Sequence, residues 1–301
     1  IGGDQGGGVG PTAGDAVTLP VGFPPLPEPL PAAVIDSHCH LDIGATGRDG
    51  EPGIDVDTAL AAAEAVGIDA VIQVGVDVAS SRAAVGLAHD WAQVAAAVAL
   101  HPNEAPRIAA DAGMPAMEQA WAQIADLAGD ERVVAIGETG MDFFRTEGPG
   151  RAAQEESFRR HIRLANELDK TLVIHDRDAH ADILRVVDDE GSPRRVVMHC
   201  FSGDADFARE VTDRGWYCSF AGTVTFKNAT GLREALAVVP RDRILVETDA
   251  PFLAPVPYRG KPNASFLIPL TLRVMAEHLG EDLVTVCDRV RANTVEAFGA
   301  F

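Results

Sequence analysis

Short apolar runs alternate with Ala- and Leu-rich helical segments along most of this chain, and this alternation restricts the fold more than any other feature. Continuous apolar runs are typical of parallel strands that are buried on both faces. Eight of them in strict alternation with helices predict an α/β fold, a (β/α)8 or TIM barrel. A doubly wound open sheet is the alternative, because periodicity does not show closure. The predicted strands cover residues 33–37, 70–74, 94–100, 133–136, 171–174, 196–198, 217–221 and 244–246.

The segments between these strands have the composition of helices. Thr58 and Ser80 are typical helix-start residues, and Gly67 is a typical helix cap. Trp91, Trp121, Phe143 and Phe144 are predicted to belong to the core, although Phe143 and Phe144 also suit stacking on a base. The predicted helices cover residues 57–66, 80–91, 115–128, 152–168, 179–190, 204–214, 230–239, 268–279 and 281–298.

Length and composition predict one barrel domain with an N-terminal extension. The chain has 301 residues, of which 47% are hydrophobic, which is enough for a single large core over residues 33–301. Residues 1–32 are rich in Gly and Pro and are predicted to be weakly structured. Alternatively they wrap across the barrel in extended form, because clustered prolines favour polyproline conformations.

Charge and cysteine content limit the environment and the partners. The formal net charge of -20 repels polyanions and disfavours a protein that coats nucleic acid, but bound divalent cations leave a nucleic-acid enzyme open. The four cysteines form no CxxC pair and predict free thiols in a reducing compartment, hence a cytoplasmic protein. No apolar run is long enough to span a bilayer. A monomer is favoured.

A His-Cys-His sequence ends the first predicted strand. Residues two apart in a strand point to the same face, so His38 and His40 can offer two imidazoles to one ion while Cys39 points away. Two partly exposed histidines in a turn are the alternative for such a short motif taken alone.

Further ligand-type residues follow other strands, at the edge where a barrel builds its site. Each has an ordinary explanation on its own, such as a turn residue or a helix cap. Together they predict a metal centre at the C-terminal edge of the barrel. Besides His38 and His40, the residues concerned are His101, Glu138, His175, His199 and Asp249.

Four of these histidines, His38, His40, His175 and His199, form a mixed nitrogen and oxygen ligand set with the carboxylates Glu138 and Asp249. Such a set suits divalent metals, with Zn, Mg, Mn, Fe, Co and Ni all open, since availability decides more than affinity. Six ligands exceed the number that one tetrahedral catalytic ion uses. The set therefore predicts two metal ions that share a carboxylate and activate a water.

At these positions the sequence resembles the TatD family of metal-dependent hydrolases, within the amidohydrolase superfamily. The resemblance runs from about residue 34 to the C-terminus in the order of the family's motifs, and the N-terminal extension lies outside it. The matching stretches are IDSHCHLD (35–42), GETGMD (137–142), VIHDR (173–177), MHCFSG (198–203), TFKN (225–228), LVETDAP (245–251) and NTVEAF (293–298).

The resemblance implies a role for each ligand. His38, His40, Glu138 and Asp249 would hold one metal, and Glu138 would bridge to a second metal. His175 and His199 would complete the second site. Asp249 would also take the proton from the attacking water.

The substrate-binding residues are predicted with less support. His101 would hydrogen-bond the substrate, while Lys227, Arg259 and Lys261 would meet a phosphate. The loop 258–264 departs from the family's usual run, which is similar to Arg-Gly-Lys-Arg-Asn-Glu-Pro: Pro262 stands in place of an Arg and Ala264 in place of the Glu. This change leaves the ligands intact and puts the substrate preference in doubt.

Three functions remain open from the sequence. The resemblance implies a deoxyribonuclease with 3'-5' exonuclease action on DNA. A D-aminoacyl-tRNA deacylase, or another ester or amide hydrolase, would use the same activated water. A binding module without activity is disfavoured, because all six ligand positions are present.

Overall fold

The computed structural model describes residues 17–47 and 53–300, and its centre is one sheet of eight parallel strands in the order β1 to β8. Helices separate consecutive strands, as predicted for a TIM barrel. The strands are β1 Val34–Cys39, β2 Ile68–Val74, β3 Val94–Val98, β4 Val133–Asp142, β5 Thr171–Arg177, β6 Val196–Met198, β7 Tyr217–Phe220 and β8 Ile244–Val246.

The first strand meets the segment that follows the last one, which makes the sheet a nearly closed barrel rather than an open sheet. Cys39 forms a parallel bridge with Ala250. The amide of His40 donates to the carbonyl of Ala250 at 2.8 Å, and the amide of Asp249 donates to the carbonyl of His38 at 2.9 Å. The barrel therefore closes at residues of the predicted metal centre.

The described helices agree with the predicted segments, with corrections at their starts, except for the short helix Leu41–Thr46, which was not predicted. Asp55 and Asp77 are the N-caps of the helices Val56–Ala65 and Val78–Asp90, and Thr58 and Ser80 donate their amides to these carboxylates. The fourth helix begins at Glu104 rather than residue 115, because it is two helices that meet at Gly113, where φ is +77°. The helices are α1 Leu41–Thr46, α2 Val56–Ala65, α3 Val78–Asp90, α4 Glu104–Ala128, α5 Pro149–Glu167, α6 His180–Glu190, α7 Ala205–Asp213, α8 Thr230–Val238, α9 Ile268–Leu279 and α10 Leu283–Phe298.

The strands β4 and β5 are longer than predicted, and their extra residues pair side by side. Gly140 pairs with His175, and Asp142 pairs with Arg177. A Cβ at Gly140 would lie 2.1 Å from the carbonyl oxygen of His175, and φ is +138° there. Only glycine lets the two strands stay together this far, so Glu138 and His175 both lie within strands.

The core fills the barrel beneath its polar edge. Alternate residues of β2 to β8, from Ile72 to Leu245, form a buried cluster that also includes Phe298 of α10. A larger cluster packs the outer faces of the strands against the helices. Phe144 is the exception to the predicted core, because its side chain is 63% exposed.

The described part of the N-terminal extension packs against the barrel without regular secondary structure. Leu30 is buried, and its amide donates to the carbonyl of Val66 at 2.9 Å. The rings of Phe23 and Phe266 lie 6.4 Å apart. The predicted extension also includes residues 1–16, which lie outside the described residues.

The predictions about the cysteines and about membrane-spanning segments can be compared with the described residues. Cys39, Cys200, Cys218 and Cys287 are free thiols. Among residues 17–47 and 53–300, no helix has both the length and the apolar character needed to cross a membrane.

Candidate metal centre

His38 and His40 project from the end of β1 toward the same carboxylates. Both side chains are buried. Their Nε2 atoms lie 3.8 and 3.4 Å from Oδ1 of Asp249, and each lies 3.8 Å from Oε1 of Glu138. Ligand atoms of His38, His40 and Asp249 all lie within 4.8 Å of one another, which is close enough to surround one ion.

Glu138 lies at the centre of the polar edge, and its two oxygens face different histidines. Oε1 faces His38 and His40 of β1. Oε2 lies 3.1 Å from Nδ1 of His175 and 3.1 Å from Nε2 of His199. One carboxylate thus lies between two groups of histidine nitrogens, which is an arrangement that suits a bridging ligand.

A metal ion fits these residues, because the chain leaves a buried imidazole without a partner. Neither ring nitrogen of His38 has a hydrogen-bond partner among the described residues, although the ring is fully buried. Buried polar atoms normally have partners, since an unpaired one costs free energy. Burial lowers the pKa of His38 well below its usual range, which keeps the neutral imidazole that binds metals.

The carboxylates act on the other histidines in the opposite direction. Burial disfavours the charged form of His40, but contacts with Asp249, Glu138 and the carbonyl of Val74 together outweigh burial and raise the pKa of His40 to about 9. In the same way, Asp142 and Glu138 raise the pKa of His175 to about 9. Protons therefore compete with a metal for these nitrogens.

His101 differs from the other histidines in its tautomer. The amide of Asn103 donates to Nδ1 of His101 at 3.1 Å. Burial lowers the pKa of His101 to about 4, so the ring is neutral and its one proton is on Nε2. Nε2 lies 3.8 Å from Oε2 of Glu138. In this tautomer Nε2 of His101 is a hydrogen-bond donor at the site, and His101 also lies close enough to Glu138 and His175 for the three residues to surround an ion.

Two carboxylates without a predicted role hold the outer sides of the histidines. Oε1 of Glu247 accepts from Nδ1 of His199 at 2.9 Å, and Oδ2 of Asp142 lies 3.4 Å from Nε2 of His175. Such contacts fix the orientation of a ligating imidazole. The sequence signal was present, because Glu247 precedes Asp249 by two residues and Asp142 ends the GETGMD stretch.

Asp36 is a third buried carboxylate that the sequence analysis did not single out. It accepts from the hydroxyls of Thr248 and Ser265 at 2.6 and 2.7 Å and from the amide of Thr248 at 3.0 Å. Burial raises the pKa of Asp36 to about 6 despite these contacts. Its bonds fix the turn after β8, and this turn carries Asp249.

A cavity of about 760 Å³ is lined by the predicted ligands other than His38. Arg259 and Lys261 line it as predicted, together with Arg145 and Arg177. Within the stretch TFKN, Phe226 lines the cavity. Lys227, which was predicted to meet a phosphate, is exposed and is not among the described residues that line the cavity. The guanidinium of Arg259 lies 4.5 Å from the centre of the Phe226 ring.

The loop that departs from the family's usual run is buried at its altered positions. Pro262 and Ala264 are both buried beside Asn263. The amide nitrogen of Asn263 donates to the carbonyls of Thr248 and Phe252, whereas its Oδ1 has no partner among the described residues. The substitutions therefore remove an Arg and a Glu without adding another charge to the cavity.

Comparison with known proteins identifies the family of the chain. Residues 35–299 match the model of the TatD related DNase family. A Mycobacterium tuberculosis protein described as an uncharacterized metal-dependent hydrolase TatD is 39% identical, over 88% of this chain and 98% of the relative. A Cronobacter sakazakii protein named 3'-5' ssDNA/RNA exonuclease TatD is 33% identical, over 86% and 97% of the two chains. The chain belongs to the TatD family of metal-dependent hydrolases.

Solved structures show the same fold. The crystal structure of YJJV, a TatD homologue from Escherichia coli, superposes with a TM-score of 0.77 at 25% identity. The superposition covers 89% of this chain and 98% of the other.

Proposed function

We propose that this chain is a two-metal-dependent deoxyribonuclease that removes nucleotides from the 3' end of DNA. The observation that carries the proposal is Glu138, whose two oxygens face separate groups of nitrogen ligands. His38, His40 and Asp249 would hold one ion with Glu138, and His175 and His199 would hold the other with it. When bound, two divalent ions lower the pKa of a water and neutralise charge on phosphate oxygens.

Asp249 accepts the proton of the attacking water. It is suited to this role because its side chain keeps 15% of its surface exposed toward the cavity, whereas Glu138 keeps 6%. A base must reach the water that it deprotonates. Glu138 instead faces nitrogen atoms on both of its oxygens, which suits a bridging role.

The other lining residues bind and orient the phosphodiester. The Nε2–H of His101 points into the site and donates to a phosphate oxygen. Arg259 and Lys261 attract the phosphate, and they matter because the chain as a whole carries a charge of -20. The name of the Cronobacter relative supports a nucleic-acid substrate. A phosphate contact for Lys227 has less support, because Lys227 does not line the cavity in the part of the chain that the structure describes.

The second candidate is hydrolysis of a D-aminoacyl-tRNA ester by the same water. The altered loop favours it, because Pro262 and Ala264 place no charge beside the site, where a phosphodiesterase would gain from a further cation. The two reactions share the ligands and differ in the bond that is cut.

A paired assay tests the proposal. Purified protein is loaded with Mn²⁺ or Zn²⁺ and given 3'-labelled single-stranded DNA or D-aminoacyl-tRNA, each with and without EDTA. We expect release of labelled nucleotides that EDTA abolishes, and no release by Glu138→Ala. Deacylation of the tRNA with intact DNA would replace the proposal by the second candidate. Failure on both substrates with any metal would refute both.

A further inference from the structure

The described aromatic residues other than Phe144 are buried or half-buried, whereas Phe144 is 63% exposed. It follows β4 by two residues, next to Arg145, which lines the cavity. Single exposed apolar side chains are common and need no function. The surroundings of this ring are what distinguish it.

Backbone hydrogen bonds fix the turn that carries Phe144. The amide of Phe143 donates to the carbonyl of Arg177 at 2.8 Å, which continues the pairing of β4 with β5. The amide of Arg145 donates to Oδ1 of Asp142 at 2.9 Å, and the amide of Thr146 donates to its carbonyl at 3.2 Å. Asp142 also lies beside His175, so the ring is held in a fixed relation to the metal centre.

One face of the Phe144 ring is covered by a cation and the rest is open. The guanidinium of Arg177 lies 3.9 Å from the centre of the ring. Arg177 follows His175 by two residues in β5, which is about 6.6 Å along a strand. The ring is thus linked to the cavity through Arg177, which contacts the ring and also lines the cavity.

Four cations line the cavity. Arg145, Arg177, Arg259 and Lys261 line the cavity, and within the described ranges none of them forms an ion pair with a carboxylate. In the same ranges many arginines on the helices do form such pairs, for example Arg159 with Glu155. In a chain of charge -20, four unpaired cations at one opening indicate an anionic ligand.

We propose that Phe144 is a stacking platform for an unpaired base of single-stranded DNA, with Arg145 and Arg177 beside the neighbouring phosphates. This inference rests on the proposed function and adds the residue that holds a base of the substrate, which must be unpaired there because a base inside a duplex has no free face for the ring. A flat aromatic face next to arginines is the usual arrangement for binding single strands without sequence preference.

The test combines a change in the protein with a change in the DNA. Phe144→Ala, Phe144→Trp and the control Val284→Ala, an exposed apolar residue of α10, are compared with the unaltered chain on a metal-loaded dT oligonucleotide assay. A second set of oligonucleotides lacks one base at each of the last four 3' positions. An RNA of matching sequence is a further arm.

We expect Phe144→Ala to raise KM and to lower kcat/KM roughly 5- to 30-fold, or about 1–2 kcal/mol, with kcat little changed. Phe144→Trp should restore the value, and Val284→Ala should not change it. At one 3' position, removal of the base should lower kcat/KM of the unaltered chain as much as the substitution Phe144→Ala does. Removal of the same base should not lower kcat/KM of the Phe144→Ala variant any further. If Phe144→Ala loses as much activity on the RNA as on the DNA, the platform binds bases of both kinds of nucleic acid.

If the loss from Phe144→Ala and the loss from removal of a base add at every 3' position, the stacking platform would be overturned and the proposed nuclease activity would still stand. If the unaltered chain cuts no DNA, the proposed function fails, and anisotropy with a labelled oligonucleotide in Mn²⁺ tests the platform separately. Equal affinity of the unaltered chain and Phe144→Ala, or no binding by either, would then reject it.

Discussion

Glu247 holds His199 from behind, with 2.9 Å between its Oε1 and Nδ1 of the imidazole. The opposite nitrogen of the ring, Nε2, is thereby left to face Glu138 at 3.1 Å. Oε1 of Glu247 also accepts the amide of Cys200 at 2.8 Å, where the backbone has a positive φ of 44°. A single buried carboxylate therefore fixes both the orientation of the His199 ring and the turn that follows β6.

Replacement of Glu247 should weaken metal binding without touching a ligand. We expect Glu247→Gln to lower metal affinity roughly 10- to 100-fold, because the amide is a weaker partner for the imidazole. Titration with Zn²⁺ against a competing chelator measures the change. The exposed Glu277→Gln serves as the control. An unchanged affinity in Glu247→Gln would contradict the orienting role.

Glu138→Ala should lower the number of bound metals and the activity together, because Glu138 faces both groups of histidines. Metal content after dialysis, measured by atomic emission, checks the first effect. His101→Ala is the contrast: its Nε2–H is a donor, so activity should fall while metal content stays the same. Loss of metal in His101→Ala would show that His101 is a ligand.

Asp249→Asn should reduce kcat roughly 10²- to 10⁴-fold through loss of the general base. The substitution keeps the shape of the side chain, and Asn tolerates the positive φ of 54° at this position. Metal content, measured on the same samples, separates loss of the base from loss of a ligand. Full activity with both metals retained would refute the assignment of Asp249 as base.

His161 predicts a pH dependence of stability that is independent of the metal centre. Its Nδ1 donates to the carbonyl of Ser157 at 2.7 Å, and its Nε2 accepts the amide of Leu100 at 3.1 Å. Burial lowers the pKa of His161 to about 4, whereas the unfolded chain takes up the proton near its ordinary pKa of 6.5. The contribution of neutral His161 to the free energy of unfolding is therefore complete above pH 6.5 and is lost as pH falls toward 4.

Between pH 7 and pH 5 this one group should cost about 2 kcal/mol of unfolding free energy. Urea unfolding in EDTA measures it, as the difference between the unaltered chain and His161→Gln at the two pH values. The exposed His278→Gln should keep the dependence of the unaltered chain. Identical pH dependence in His161→Gln would show that another group is responsible.

The convergence of the ligands could be predicted because it follows from periodicity and topology alone. His38 and His40 lie two apart in a strand, and parallel strands in a barrel end at one edge, so no side-chain geometry was needed to bring them to Glu138. The ends of the strands were harder to predict from the sequence. The pairing of Gly140 with His175 extends β4 and β5 past the apolar runs on which the prediction depended.

Exposure and orientation could not be predicted from local sequence. Phe226 and Lys227 are neighbours, and only the path of the loop decides which one faces the cavity. The first half of α4 was missed because Gly113 interrupts the helix and Pro115 follows, a pattern typical of a loop. Phe144 was assigned to the core by hydrophobicity, whereas the pairing of Phe143 with Arg177 turns it outward.

The hydrogen bonds of Asp36 have a consequence for the order of events during synthesis. Its partners Thr248 and Ser265 are 212 and 229 residues further along the chain. A ribosome that adds about 5–20 residues per second needs roughly 10–40 s to cover the shorter of these distances. During that interval Asp36 lacks its hydrogen-bond partners while His38 and His40 are already present in the same strand. The metal centre cannot assemble before the eighth strand and Asp249 have been synthesised.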